Sequence, residues 1–137
     1  MKIYKTKSSL LSGTDFHEVH KKAFGVYRKI RCKSKRIPYV RSAYFKKDKV
    51  FLNIFWQHLW EKGKWQDRTR RLKYYEVAIE LVCYSKFAPI SKQNPNKTDE
   101  ILHRFAGITS EGSMFYVQIK EDKRSGRKDL ISIFPSK

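Results

Sequence analysis

The stretch EILHRFAGITSEGSMFYVQIKED, residues 100–122, has the residue pattern of a β-hairpin. Polar and apolar side chains alternate on both sides of TSEGS (109–113), which contains the glycine that tight turns favour. A second segment of this kind, KRSGR (123–127), leads into another alternating run. The pattern therefore predicts an antiparallel meander of strands at 100–108, 114–121 and 129–134.

The middle strand divides clearly into two faces. Its apolar positions are expected to lie on a hydrophobic core: Phe115, Val117 and Ile119. Its remaining positions are then expected to face outward: Tyr116, Gln118 and Lys120. In the last strand, Ser132 falls on an outward position by the same alternation.

The first strand is compatible with two registers. If Leu102, Ala106 and Ile108 are buried, His103 and Phe105 face outward and join Tyr116, Gln118, Lys120 and Ser132 on one outer face. The opposite register buries Ile101 and Phe105 and exposes Arg104, a residue type that is rarely buried without a partner. The sequence leaves both registers open.

The chain before the meander has helical periodicity. Apolar residues recur at spacings of three and four, which predicts three helices: one from Phe16, capped by Thr14 or Asp15, one from about Val50 to Trp60, capped by Asp48, and one from about Asp67 to Ser85. Residues 91–97, SKQNPNK, are predicted to form a loop. We expect a single α+β domain over residues 1–137, in which about three N-terminal helices (about 14–87) pack on a C-terminal antiparallel meander of three or more strands (about 99–135).

The charge points to a polyanionic partner. Thirty-one Lys and Arg residues stand against thirteen Asp and Glu residues, which gives a net charge of +18. A field of this size favours nucleic acid first and an anionic membrane second. A dense basic segment, DRTRRLK (67–73), suits phosphate binding or a solvated helix face, and its candidate contact residues are Arg68, Arg70, Arg71 and Lys73.

Several other classes of protein are not expected. No apolar run approaches the roughly 20 residues of a membrane span. Cys32 and Cys83 lack metal spacing and are interpreted as reduced thiols of a cytoplasmic protein. His17 and His20 lie one helical turn apart without a third ligand nearby, and no nucleotide-binding motif is present, so neither a metal nor a cofactor is predicted.

The polar positions of the meander match the needs of RNA cleavage without metal. That reaction requires a base for the 2′-hydroxyl, an acid for the leaving 5′-oxygen and fixed positive charge on the transition state. His103 and Tyr116 are the candidate acid–base pair, and Arg104 and Lys120 the candidate phosphate ligands. Phe105 offers a face for an unpaired base, and Gln118 a hydrogen-bonding amide. The same residues also suit an ordinary solvated sheet face.

Three segments, RSAYFKKDKVFLNIFWQHL, DRTRRLKYYEVAIELV and LHRFAGITSEGSMFYVQIKEDK…ISIFP, resemble phage- and mobile-element-associated proteins of the barnase, EndoU, colicin and RelE-like nuclease superfamily. The resemblance covers roughly residues 41–135. It implies helices on an antiparallel sheet and metal-independent endoribonuclease activity, often as a toxin or conflict-system effector. The residue types that match the superfamily's site are His103, Arg104, Thr109, Tyr116, Lys120 and Ser132.

Two rival functions stay open at this stage. The first is a non-catalytic basic protein that binds nucleic acid with a steep salt dependence. The second is a basic protein that pairs with an acidic protein. For a toxin, that acidic protein would be the neutralising partner that covers the basic face.

Overall fold

The computed structural model describes residues 2–61 and 64–136. Within these two ranges the chain forms four helices and seven strands. In chain order they are β1 (Tyr4–Lys5), α1 (Phe16–Lys33), β2 (Tyr39–Ser42), β3 (Asp48–Phe51), α2 (Asn53–Leu59), α3 (Trp65–Leu72), α4 (Tyr75–Tyr84), β4 (Ile90–Gln93), β5 (Glu100–Ile108), β6 (Met114–Asp122) and β7 (Lys128–Pro135). None of these helices has the length and apolar character needed to cross a membrane.

All seven described strands belong to one mixed sheet. Its order is β1-β5-β6-β7-β3-β2. Strands β4 and β1 pair with the same edge of β5, β4 near the start of that strand and β1 near its end. The β1–β5 and β3–β7 pairs are parallel, whereas the other pairs are antiparallel. The protein is thus an α+β protein whose sheet extends well beyond the C-terminal hairpins.

The predicted arrangement of an N-terminal helical block on a C-terminal meander is wrong. Only α1 lies near the N-terminus, between β1 and β2, whereas α2, α3 and α4 follow β3 in the middle of the chain. The segment predicted as one helix from Val50 to Trp60 begins instead as β3, because Val50 and Phe51 pair with Lys128 and Asp129 of β7. A short apolar run fits a helix or a strand equally well, and only a distant partner decides between them.

Two further predictions are corrected and two are confirmed. The single helix expected over 67–85 is two helices, α3 and α4, and the loop expected at 91–97 contains the end of strand β4. Helix α1 begins at the predicted residue, with the Asp15 carboxylate accepting the backbone N–H of Glu18 at 2.9 Å. The three predicted strands are present as β5, β6 and β7.

The two faces of the sheet have different environments. On the inner face, Phe115, Val117 and Ile119 of β6 are buried together with Leu130 and Ile133 of β7. Helix α4 packs on this face, where Leu81 approaches Gly107 of β5 and the ring of Tyr74 lies near that of Phe115. The outer face holds the alternate positions of the same strands, and the candidate interface lies there.

An irregularity in β7 preserves the separation of the two faces. Gln118 is opposite Ser132, whereas the next residue, Ile119, is opposite Leu130. Ile131 is therefore an extra residue between the two pairs, as in a β-bulge. The bulge returns Leu130 to the buried face and leaves Ser132 on the outer face.

Candidate nucleic-acid interface

The outer face of β5, β6 and β7 has a cationic centre. We define the outer face by six residues: Arg104, Tyr116, Gln118, Lys120, Ser132 and Phe134. The guanidinium carbon of Arg104 lies 5.0 Å from the ring centre of Phe134 and 5.8 Å from that of Tyr116. Arg104 is exposed, and among the described residues no carboxylate pairs with it. A charged planar group thus lies on two half-buried aromatic rings, with its donors free for a ligand.

A cleft of about 350 Å³ adjoins the outer face where α2 and α3 pack beside β7. Gln118 lines this cleft and also a smaller hollow that Arg104 and Lys92 line. The outer face and the cleft are therefore one continuous surface. The cleft is lined by Phe55, His58, Leu59, Glu61, Asp67, Arg68, Arg71, Gln118, Ile131 and Ser132.

Arg71 connects helix α3 to the outer face. Its Nη1 donates to the Ser132 hydroxyl at 3.3 Å, and its Nε donates to the Asp67 carboxylate one turn earlier at 3.0 Å. Asp67 offsets part of the positive charge, but it also holds the guanidinium in place. Nη1 also donates to the carbonyl of Ile133 at 3.5 Å, so the N–H groups of Nη2 are the ones available to a phosphate.

Two tryptophans flank the second arginine of the cleft. The guanidinium carbon of Arg68 lies 5.5 Å from the ring centre of Trp60 and 5.3 Å from that of Trp65. Its Nη2 donates to the carbonyl of Trp60 at 3.1 Å, and its Nε is buried without a partner among the described residues. Trp60 and Trp65 are 48% and 54% exposed, so large aromatic surface is open to solvent beside the cleft.

The cleft also contains two residues that sequence reasoning missed. His58 and Glu61 lie three residues apart at the end of α2, a spacing that places both on one side of the turn. The sequence predicts no functional role for either of them, because His58 is surrounded in sequence by aromatic residues. The structure leaves His58 exposed. The one feature of the sequence that could have indicated a role for His58 is the position of Glu61 three residues later.

His103 does not lie on the outer face. It is 7% exposed on the inner face, with Nε2 2.7 Å from Glu121 Oε1 and Nδ1 2.6 Å from the Ser91 hydroxyl. The register that places His103 and Phe105 outward is therefore wrong, and the opposite register, with Arg104 outward, is the one observed. Burial of the ring is tolerable because both of its nitrogens have partners.

The pair of His103 and Glu121 belongs to a larger polar network. Lys128 Nζ lies 3.8 Å from Glu121 and donates to Asp48 at 2.7 Å. The hydrogen bond from Lys128 lowers the pKa of the Asp48 carboxyl below its ordinary value. Since these residues come from β3, β5, β6 and β7, the network joins four strands of the sheet.

The other predicted site residues are divided between several places. Lys120 is on the outer face but lies 3.9 Å from the Glu100 carboxylate. Phe105 is buried, and Thr109 is a buried turn residue whose hydroxyl accepts the backbone N–H of Ser113. Arg70 and Lys73 belong to α3 and its C-terminal cap and are not among the residues that line the cleft.

Comparison with known protein families, with curated proteins and with solved structures finds no match. Within residues 2–61 and 64–136, no group of three or more His, Cys, Asp or Glu side chains is placed to hold a metal ion. The function must therefore be argued from the residues of the surface itself.

Proposed function

We propose that this protein binds single-stranded RNA across the outer face and the adjoining cleft. The observation that carries the proposal is the placement of Arg104 on the rings of Tyr116 and Phe134, without an acidic partner among the described residues. The net charge of +18 supports it, because such a field attracts a polyanion from a distance.

Each part of this surface suits a different part of a single strand. The guanidinium of Arg104 and the two rings beneath it offer a flat surface on which an unpaired base stacks. The Gln118 amide has both a donor and an acceptor for base edges. Arg71 and Arg68 hold charge at the cleft, where they would bind phosphates.

Replacing Arg104 with Ala is expected to weaken the binding of single-stranded RNA about tenfold, since a stacking contact contributes about 1–3 kcal/mol. Because the variant also removes a positive charge close to the strand, the slope of log K against log salt should become shallower by up to about 0.7, the value for one neutralised phosphate of a single strand. Fluorescence anisotropy of labelled oligouridine at several salt concentrations measures both quantities.

Arg124 provides the matched control for this experiment. It is an exposed arginine in the turn between β6 and β7, away from the outer face, so Arg124→Ala removes the same charge. Its expected effect on affinity is less than about twofold. Equal weakening by both variants would show that only total charge matters and would contradict the proposed surface.

A second candidate function is metal-independent cleavage of the bound RNA in the cleft. It is favoured by the exposed His58, which shares the cleft with Arg68, Arg71 and Ser132. In this reaction His58 takes the proton of the 2′-hydroxyl, the 2′-oxygen attacks phosphorus, and the bond from phosphorus to the 5′-oxygen breaks. The leaving 5′-oxygen takes a proton from water or from the protonated His58 ring, so that the products are a 2′,3′-cyclic phosphate and a 5′-hydroxyl. The arginines stabilise the charge that develops on the phosphoryl oxygens. An acidic protein that covers the same cleft would neutralise this activity.

The cleavage candidate predicts that wild-type protein cuts a labelled RNA pool in EDTA and that His58→Ala lowers the rate at least about 100-fold. His17→Ala, which changes an exposed histidine on α1, should leave the rate unchanged. Gel analysis and identification of 2′,3′-cyclic ends are the measurements. RNA that stays intact with wild-type protein would rule out this candidate and leave the binding proposal in place.

A further inference from the structure

A second basic surface lies at the far edge of the sheet, on β2, β3 and the end of α1. It is a groove of about 570 Å³ that we call the edge groove. Four cationic residues and two aromatic residues of its lining carry the argument: Lys33, Lys35, Arg36, Lys49, Tyr39 and Phe51. The proposed binding surface described above includes none of them.

The strand registers place the aromatic residues of the edge groove on the same side of the sheet as the outer face. Lys120 of β6 is opposite Asp129 of β7, and Asp129 is the register partner of Phe51 in β3. Phe51 is in turn opposite Tyr39 of β2. Directly paired residues project to the same side of a sheet. The outer face and the edge groove are therefore two parts of one side.

The charge of the edge groove is not compensated locally. None of its four cationic side chains forms a salt bridge within the described part of the chain, and no carboxylate lines the groove. Helix α1 ends here, and cations near a helix C-terminus stabilise the helix dipole. That effect accounts for Lys33, which lies in the last turn, but not for Lys49, which is on a strand.

Aromatic rings with cations above them form the floor of the edge groove. Lys49 Nζ lies 4.7 Å from the ring centre of Tyr39, and the guanidinium carbon of Arg127 lies 4.4 Å from that of Phe51. The two rings are half-buried and 6.1 Å apart. Arg127 is paired with the Asp129 carboxylate at 3.1 Å, whereas Lys49 forms no salt bridge within the described residues. Lys49 and Tyr39 therefore have the same combination of a cation, a flat ring and no acidic partner as the outer face, so both places suit one type of ligand.

We propose that the edge groove is a second binding site for the same RNA strand, so that one strand runs from the outer face into the groove. This inference rests on the proposed function, since it takes RNA as the ligand. From β6 to β2 there are three strand spacings, or about 14 Å. A long strand can reach both places, whereas an oligonucleotide that fills only the outer face cannot.

The test compares two triple charge reversals with equal change in net charge. One variant, Lys33→Glu, Lys35→Glu and Arg36→Glu, alters the edge groove. The control, Lys2→Glu, Lys7→Glu and Lys86→Glu, alters exposed lysines before and after β1 and after α4, at the opposite end of the sheet order. Labelled oligouridines of about 3 and about 20 nucleotides serve as probes. At about 3.4 Å per stacked nucleotide the short probe spans about 7 Å, which is less than the distance between the two places, whereas the long probe spans far more.

The edge groove variant should bind the long probe at least about tenfold more weakly than the control does. For the long probe, its salt slope should be shallower than the control's by about 2, which corresponds to three lost phosphate contacts at about 0.7 each. The short probe should bind equally well to both triple variants. Circular dichroism melting confirms that the variants are folded before the comparison.

The remaining outcomes separate the two proposals. If both triple variants weaken the long probe equally while Arg104→Ala weakens it further than Arg124→Ala, the edge groove is not a site and the proposed function stands. If the edge groove variant has its effect while Arg104→Ala weakens binding no more than Arg124→Ala does, the groove binds RNA without the outer face. That result would overturn the proposed function and, with it, the path of one strand over both places. Wild-type protein that binds neither probe would overturn both.

Discussion

Replacing His103 with Ala is expected to lower the free energy of unfolding by about 3 kcal/mol, because removal of one partner from a buried polar pair leaves the other unsatisfied. The imidazole connects Ser91 of β4 with Glu121 of β6 across β5, and its ring packs 5.0 Å from that of Phe45. Within residues 2–61 and 64–136, its loss leaves Lys128, at 3.8 Å, as the one salt-bridge partner of Glu121, and it also opens a cavity. Urea denaturation measures the change.

The control for this prediction is Ser91→Ala. Ser91 is exposed, so its loss should cost only about 1 kcal/mol, the net value of one hydrogen bond. RNA binding by folded His103→Ala protein should equal that of wild type, because the ring is on the inner face. If the folded variant instead loses cleavage in EDTA at unchanged binding, the acid–base role belongs to His103 and the assignment to His58 is wrong.

Replacing Gly107 with Ala is expected to destabilise the protein by a similar amount, about 3 kcal/mol. An added Cβ would lie 2.5 Å from Cζ of Phe115 and 2.8 Å from Cδ1 of Leu81. Phe115 and Leu81 are 0% and 1% exposed, so neither side chain can move aside into solvent. The contact between α4 and the inner face would have to open. Thermal unfolding should show a loss of roughly 10 °C in Tm.

Gly25→Ala is the matched control, with an effect of opposite sign. Gly25 lies inside α1, and an added Cβ there meets no atom within 4 Å. Since alanine favours a helix over glycine, this variant should be more stable than wild type by up to about 1 kcal/mol. A cost below about 0.5 kcal/mol for Gly107→Ala would show that α4 does not hold Phe115 firmly against β5.

The parts of the fold that could be predicted from sequence are those with a long, regular pattern. The alternation in β5, β6 and β7 and the three-and-four spacing from Phe16 onward predicted their elements closely. The strand β3 could not be recognised, because four residues are too few to show a period and its stability comes from β7, about 80 residues away. For the same reason the sequence of β4 predicts a loop and not a strand.

The candidate surface was predicted only in part. Arg68, Arg71, Tyr116, Gln118 and Ser132 could be recognised from the basic run and from the alternation, and they do lie on the outer face or in the cleft. His58 and the exposed pair Trp60 and Trp65 could not be recognised, because they lie at a cleft that forms only where α2 and α3 pack beside β7. A cleft that forms between two helices and a strand leaves no recognisable pattern in the sequence of any one of these elements.

The composition, the basic charge and the alternation of the C-terminal strands were evident from the order of the residues alone, because they depend only on residue type and on neighbours in the chain. Which of the two faces of β5 is buried was not evident. An alternating pattern divides a strand into two sets of side chains but does not say which set is inside. That choice depends on Ser91 and Glu121, which satisfy the buried ring of His103, and on α4, which covers one side of the sheet. These partners are remote in sequence, so folding alone placed Arg104, and not His103, on the surface where RNA is expected to bind.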